Sequence, residues 1–382
     1  VKLYELSSAS DVKTVLERLG VTHEGQKLLV PKSRLHLIYI RDLKTPAANI
    51  LKQDALSIGA DLAVPKETVT CSVPLVDALL IANEKQLKEL IQKEKAQPFG
   101  LKTVSDALAS LVKQSMDDNA FEVMGVVNAN EDSFFQGSRF HGDAALSHIV
   151  SMIDEGATII DLGGVSSRPG SLGVSEEDEL SRVRPIIDLI AHHNLTCKAR
   201  FSLDSYSPLC LEYALSRGFS IVNDITALSD DAVARVAAKY RATVVLMHMQ
   251  NDPTTMQCEP VYDNVVLAVD AFFEERIEKA KRFGISDMIL DVGIGFGKTL
   301  EHNLQLLKHH AHFLRFGYPL LVGASRKSMI DKIIPTPVEE RLPGTLALHL
   351  KAYEEGATII RAHDVKAHVQ ALSVFKALHL TV

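Results

Sequence analysis

From Phe121 onward the chain carries short apolar runs, each ending abruptly at a residue able to bind a ligand. FEVMGVVN ends at Asn128, ATIIDLGG passes Asp161 into a glycine-rich turn, ARFSLD ends at Asp204, and SIVND ends at Asn223 and Asp224. VVLMHM carries His248, MILDVG carries Asp291, PLLVGASRK runs into Ser325, Arg326 and Lys327, and ATIIRAHD closes on Arg361, His363 and Asp364. Runs this short and this continuously apolar predict parallel strands buried on both faces.

The intervals predict helices. Leu146, Ile149, Val150 and Ile153 fall on one helical face, as do Leu180, Val183, Ile187 and Ile190. Ser175 with Asp178 three residues on marks the start of the second helix as a capping box. DEGATIIDLGG and EEGATIIRAHD are near copies of one unit: a helix end, a glycine able to take positive φ, then a buried strand. SRGFSIVND around Gly218 is a weaker third copy. A doubly wound open sheet produces similar local patterns, but eight candidate strands favour a closed (β/α)8 barrel of the TIM type. Such a barrel gathers all eight strand ends around one rim.

Residues 1–116 break this rhythm and predict a separate small α/β domain of unknown role, with the barrel over 117–382. LHLIYI (Leu35 to Ile40) reads as a strand, Val104, Leu108, Leu111 and Val112 as a helix face, and KEKAQPFG, ending at Gly100, as a connector. Arg41 and Asp42 are expected to be solvated surface.

Chemistry is expected at the rim. A carboxylate ending an apolar strand is costly to bury without donors. Asp204 and Asp291 therefore point to a ligand edge rich in N–H groups, with Asn223 supplying a mixed donor and acceptor. Asp224 is expected instead to cap the following helix or to pair with a nearby arginine. DVGIGFGK (Asp291 to Lys298) fails both phosphate-loop templates: Val292 stands where the Walker pattern needs glycine, and Lys298 where the Rossmann pattern does. Its glycines then serve a sharp turn, and Lys298 is expected at the surface. Ser325, Arg326 and Lys327 open a helix after the seventh strand and form an anion site or ligand clamp with Arg361 and His363. Within that set Arg326 is expected to pair with an acid, and Lys327 and Arg361 to meet the ligand. Two long loops, Asn128 to Gly142 and Gly163 to Val174, read as lids; Arg168 is centred in the second, and Phe134, Phe135 and Phe140 lie in the first. His192, His193, His309, His310 and His312 are expected at the surface and His248 in the core. None of these histidines forms a metal set, which disfavours a metal-dependent hydrolase.

Composition narrows the partners. With 41 basic and 48 acidic residues the formal charge is −7, and no basic run suggests nucleic acid, so a small-molecule ligand is expected. The four cysteines, Cys71, Cys197, Cys210 and Cys258, show neither paired nor zinc-like spacing. No apolar stretch reaches membrane-span length, and no basic-then-apolar leader opens the sequence, so a cytoplasmic, reducing setting without membrane contact is expected.

In order along residues 121 to 378, these segments resemble the dihydropteroate synthase family, the folate-pathway enzymes targeted by sulfonamides. MGVVNANEDSF is similar to the family's MGxxNxTPDSF, and GGVSSRPG to GGESTRPG; SLDS, IVND, DVGIGFGK, GASRK and RAHDV complete the series. The resemblance implies a pterin pocket of Asp204, Asn223, Asp291 and Lys327. It implies a diphosphate site of Asn128, Arg168, Arg361 and His363 with Mg2+ near Asn128, and p-aminobenzoate contacts from Ser167, Arg168, Pro169 and Ser325. Lys327, Arg361, His363, Asn128 and Arg168 are then the catalytic set, and the barrel type is compatible with a homodimer. Ala129, Asn130 and Glu131 depart from the family's valine, threonine and proline, Val165 stands where an acid is common, and Val292 replaces a proline. Rival readings are a pterin-dependent methyltransferase serving a corrinoid partner, which would not need the anion motifs, and a pterin-binding barrel that has lost catalysis.

Overall fold

The structure, a computed structural model, describes every residue except 2, 4, 5, 7–10, 113–119, 130–140, 165–173, 251–259, 381 and 382. The chain divides into two compact units, one of residues 1–117 with 315–317 and 376–382, the other of 118–314 and 318–375.

The first unit is built on a three-stranded antiparallel sheet of β1 (Leu35–Lys44), β2 (Asp61–Ala63) and β3 (Leu75–Asn83) in the order β1-β3-β2. Central β3 alternates, burying Val76, Ala78, Leu80 and Ala82. Edge strand β1 is apolar at five of its first six positions, yet Leu35, Leu37 and Tyr39 are exposed. Period-two geometry allows only one of its faces to meet the core. That core is completed by Ala47, Leu51 and Ala55 of helix Thr45–Ser57, Leu87 and Leu90 of Glu84–Glu94, and Leu101 and Leu108 of Leu101–Val112. Asn83 starts the second of these helices with a full capping box to Gln86.

The second unit is a closed barrel of eight parallel strands: β4 (Glu122–Asn128), β5 (Ile159–Gly163), β6 (Arg200–Asp204), β7 (Ile221–Asp224), β8 (Thr243–Met247), β9 (Met288–Asp291), β10 (Leu320–Val322) and β11 (Ile359–Ala362). Strands follow one another in sequence order, and β11 closes the ring onto β4. The expected helices are present as His141–Asp154 and Glu176–His192, the latter capped by Ser175, whose hydroxyl accepts from the Asp178 N–H at 3.1 Å. Gly156, Gly218 and Gly356 take φ of 106°, 95° and 89° where each repeated unit turns from helix into strand. Among the described residues, no helix is long and apolar enough to cross a membrane.

The barrel interior explains the sequence pattern. Met124, Ile159, Ile221, Val245, Ile289, Leu321 and Ile359 form one buried apolar cluster, contributed by seven of the strands. Residues two further along a strand share its face, so Val126, Asp161, Asn223, Met247, Asp291, Gly323 and Arg361 stand one layer nearer the carboxyl rim. On β6 the same step leads from buried Ser202 to Asp204. An apolar plug thus supports a polar layer.

One expectation fails here. His310 is fully buried, because helix Leu300–Lys308 gives way to a 3-10 segment that turns its ring inward against Phe313, 6.3 Å between centroids. Burial lowers its pKa to about 4, so the ring is neutral.

Ile359→Ala should test the plug. Loss of a close-packed inner residue is expected to cost about 2–5 kcal/mol, read as a lower denaturant midpoint at unchanged slope. A loss below about 1 kcal/mol would contradict a tightly packed layer.

Candidate active site in the barrel mouth

Four strands meet at one guanidinium. Arg361 of β11 donates from Nε to Asp161 Oδ2 of β5 at 2.7 Å and from Nη2 to Asp204 Oδ2 of β6 at 2.8 Å. Asn223 of β7 donates to the same Asp161 oxygen at 3.1 Å. Asp161 is fully buried, whereas Arg361 keeps 23% of its side chain exposed toward solvent. Two carboxylates this close repel and resist desolvation, and a fork-shaped cation between them offsets both costs. Burial raises the Asp204 pKa, with Arg361 pulling the other way. Burial also opposes the charge on Arg361, but the Asp161 and Asp204 carboxylates more than offset it and raise its pKa.

Acids and cations, expected as separate regions of the rim, are therefore interlocked. In the sequence Asp161 reads only as a strand residue leading into a glycine-rich turn. A signal for it existed: the near-copied units ATIID and ATIIR set Asp161 and Arg361 at equivalent positions, two beyond Ile159 and Ile359. Its Oδ1 is buried and has no hydrogen-bond partner among the described residues.

Beyond β9 the chain makes a left-handed turn at Gly293, Gly295 and Gly297, with φ of 66°, 84° and 59°. Asp291, nearly buried, accepts the Gly293 N–H at 2.7 Å, and burial raises its pKa. A Cβ on Gly293 would fall 1.9 Å from the His248 carbonyl oxygen, so side chains are barred on two counts. The turn directs carbonyls inward, and Lys298 satisfies them. Its Nζ donates to Phe296 O and Gly293 O at 2.9 Å and His248 O at 3.1 Å, and the residue is 2% exposed. The expected surface position of Lys298 is thus corrected. Burial lowers its pKa to about 7, against the opposing pull of Asp291.

Lys327 grips the other side of this turn, bonding Ile294 O and lying 4.4 Å from the Phe296 ring centroid. Burial lowers its pKa to about 8, with Asp291 opposing. His248 sits in the core as expected, edge-on to Phe272 at 4.9 Å, and burial with Lys298 nearby brings its pKa down to about 2.

The turns after β10 and β11 are tied together. Ser325 Oγ and His363 Nδ1 are 2.9 Å apart, and Arg326, at φ 54°, forks onto Asp364 at 2.7 and 3.0 Å. Asp224 caps its own loop, accepting the Thr226 and Leu228 N–H groups at 2.7 Å each. Asn128 ends β4 beside Gly163; a Cβ there would lie 3.7 Å from both Asn128 Oδ1 and Asp204 Cβ, so the missing side chain keeps this corner open. No cluster of three or more His, Cys, Asp or Glu residues able to hold a metal occurs among the described residues. Asn128 Oδ1 is a hard oxygen donor, which suits a Mg2+ that keeps most of its shell as substrate phosphate and water. Ser167, Arg168 and Pro169 lie outside the described residues, as do Asn130, Glu131, Phe134, Phe135, Phe140, Val165 and Cys258.

The sequence matches the family described as pterin binding enzyme over residues 124–363. A bifunctional dihydropteroate synthase/dihydropteroate reductase of Helicobacter pylori is 40% identical over 370 residues, covering 97% of each chain. The dihydropteroate synthase of Escherichia coli is 43% identical over 266 residues, 69% of this chain and 93% of its own. Among solved structures, the Yersinia pestis dihydropteroate synthase with a sulfonamide drug complex superposes with a TM-score of 0.65 at 39% identity, covering 69% of this chain and 96% of that one. With the polar layer, its supporting plug and these relatives in agreement, the chain belongs to the dihydropteroate synthase family of pterin binding enzymes.

Proposed function

We infer that this chain is a dihydropteroate synthase. It joins 6-hydroxymethyl-7,8-dihydropterin diphosphate to p-aminobenzoate, giving 7,8-dihydropteroate and pyrophosphate. The observation that carries this reading is the convergence of Asp161, Asp204, Asn223, Asp291 and Arg361 in one layer above the barrel plug, with Lys327 close beside it.

Each group then has a role consistent with its surroundings. Asp204 and Asp291 accept from the pterin's amino-amide edge, and Asn223, anchored on Asp161, supplies the mixed contact. Arg361 spends Nε and Nη2 on the carboxylates, and its remaining nitrogen with His363 takes the diphosphate. Lys327, fixed over Phe296, adds positive charge beside the reacting methylene. Asn128 would be the residue to hold a Mg2+, which when bound would help neutralise the departing charge. The methylene carbon–oxygen bond breaks, pyrophosphate leaves with the electron pair, and the aryl amine forms the new C–N bond and loses a proton. Ser325, with Ser167, Arg168 and Pro169, holds the p-aminobenzoate, and the two long rim loops exclude competing water. The intact anion set favours this over the corrinoid-linked methyltransferase, and Lys327 and Arg361 disfavour a barrel without catalysis.

Purified protein given the dihydropterin diphosphate, Mg2+ and p-aminobenzoate should release pyrophosphate and form a product joining both substrates; no joined product would contradict the assignment. In the same preparation Asp204→Ala should weaken binding of a diphosphate-free pterin at least about tenfold. Arg361→Lys keeps a charge beside the acids but loses the fork, and should weaken the diphosphate substrate at least about tenfold more than the bare pterin. Equal losses for both ligands would refute the anion role of Arg361.

The Helicobacter relative matches across both units and carries a second activity in its name, whereas the Escherichia synthase aligns with 69% of this chain. On that contrast we assign a dihydropteroate reductase activity as the companion reading for the full chain. Supplied with reduced nicotinamide or reduced flavin as the two-electron donor, the protein should convert dihydropteroate to its tetrahydro form. Failure with both donors would remove this reading and leave the synthase untouched.

A further inference from the structure

Behind the turns that follow β10 and β11 lies a pair of buried histidines outside the described chemistry. His349 belongs to helix Leu342–Glu354 and His368 to helix Val365–Leu380; they are 1% and 0% exposed. The Ala324 N–H donates to His349 Nε2 at 2.9 Å, His349 Nδ1 meets His368 Nε2 at 2.8 Å, and His368 Nδ1 meets the Asp364 carbonyl oxygen at 2.7 Å. The chain of bonds therefore runs from one catalytic turn to the other.

Its ends fix the direction of every proton. A backbone N–H can only donate, so His349 Nε2 presents its lone pair. A carbonyl can only accept, so His368 carries its proton on Nδ1. The middle bond then closes in one way, with His349 Nδ1–H donating to the His368 Nε2 lone pair. Both rings are neutral Nδ1–H tautomers, and every polar atom in the chain is satisfied. An extra proton on either ring would set two N–H groups against each other. Burial agrees with this, lowering both pKa values from the ordinary histidine range, with the neighbouring His368 adding to the effect at His349.

We propose that His349 and His368 are positioning residues that lock the Ala324–Lys327 turn to the Asp364 turn through a one-way hydrogen-bond relay. The turn needs such a lock. Arg326 stands at a positive φ that is unfavourable for a residue with a side chain, and it is held by the Asp364 fork and by Thr345 Oγ1, which accepts the Arg326 N–H at 2.9 Å. Ser325 and Lys327 flank that strained residue, so slack at Ala324 passes to both. The functional consequence rests on the synthase reading of Ser325 and Lys327; the tautomers do not.

Two measurements test the proposal separately. In protein with 15N-labelled histidine, NMR near neutral pH should show two neutral Nδ1–H rings, each lost in the matching His349→Gln or His368→Gln variant. An Nε2–H tautomer or a charged ring at either position would overturn the relay, whatever the enzyme's activity. In the synthase assay His349→Leu strands the buried Ala324 N–H, and kcat/KM for p-aminobenzoate should fall at least about tenfold, with affinity for a diphosphate-free pterin, which Lys327 also meets, falling less. His349→Gln offers a carbonyl to Ala324 and an amide to His368, and should recover to within about threefold of the parent. A fully active His349→Leu, or a His349→Gln no better than it, would overturn the positioning role. Absence of synthase activity in the parent protein would instead sink the functional assignment, leaving the tautomer result to decide the relay.

Discussion

At the mouth of the barrel one guanidinium bridges two carboxylates that could not otherwise be buried side by side. Arg361 lies between Asp161 and Asp204, and Asn223 reinforces the same Asp161 oxygen. An unpaired buried charge costs several kcal/mol, so none of these groups can be placed without the others. The trio carries one formal negative charge, Asp291 with Lys298 and Lys327 beside it brings the pocket floor to balance, and the side chains have little rotational freedom. Such a floor can present ionised acceptors to a heterocycle and still keep positive potential for an anion. The two demands, which look contradictory in a list of rim residues, are reconciled by a shared residue.

Around that floor the fold supplies stiffness in successive layers. Beneath it the apolar plug fixes the strand ends from which the polar side chains project. To one side, Lys298 and Lys327 gather the carbonyls of the glycine-rich turn that carries Asp291. On the other, the Arg326–Asp364 fork and the two histidines hold the turns after β10 and β11 in register. The chemistry asks little of any single side chain beyond position and charge, so the protein's effort goes into preorganisation.

Much of this was legible in the sequence because strand and helix periods leave direct marks. The strand endings at Asp204, Asn223, Asp291 and Arg361, the Ser175 cap and the glycine that opens each repeated unit all follow from local rules. What escaped were residues whose roles depend on a distant partner. Asp161 looked like a strand residue passing into a turn, although the near repeat matched it to Arg361 200 positions away. A lysine after a glycine loop ordinarily points to solvent, and only the inward carbonyls of this turn draw Lys298 in. His310, His349 and His368 lie in helical or near-helical stretches where a single sequence does not tell the buried face from the exposed one for so amphipathic a side chain. Local propensity is written in neighbouring residues, whereas polar satisfaction is settled only by the folded chain.

Such a pocket floor requires Asp161 and Arg361 to be energetically coupled rather than merely adjacent. A double-mutant cycle of Asp161→Asn and Arg361→Met, measured by reversible denaturation of the ligand-free protein, isolates that term. The coupling should be about 1–3 kcal/mol favouring the native pair, as expected for a charged, hydrogen-bonded contact out of water. Additive losses, with a coupling below about 0.3 kcal/mol, would contradict the account.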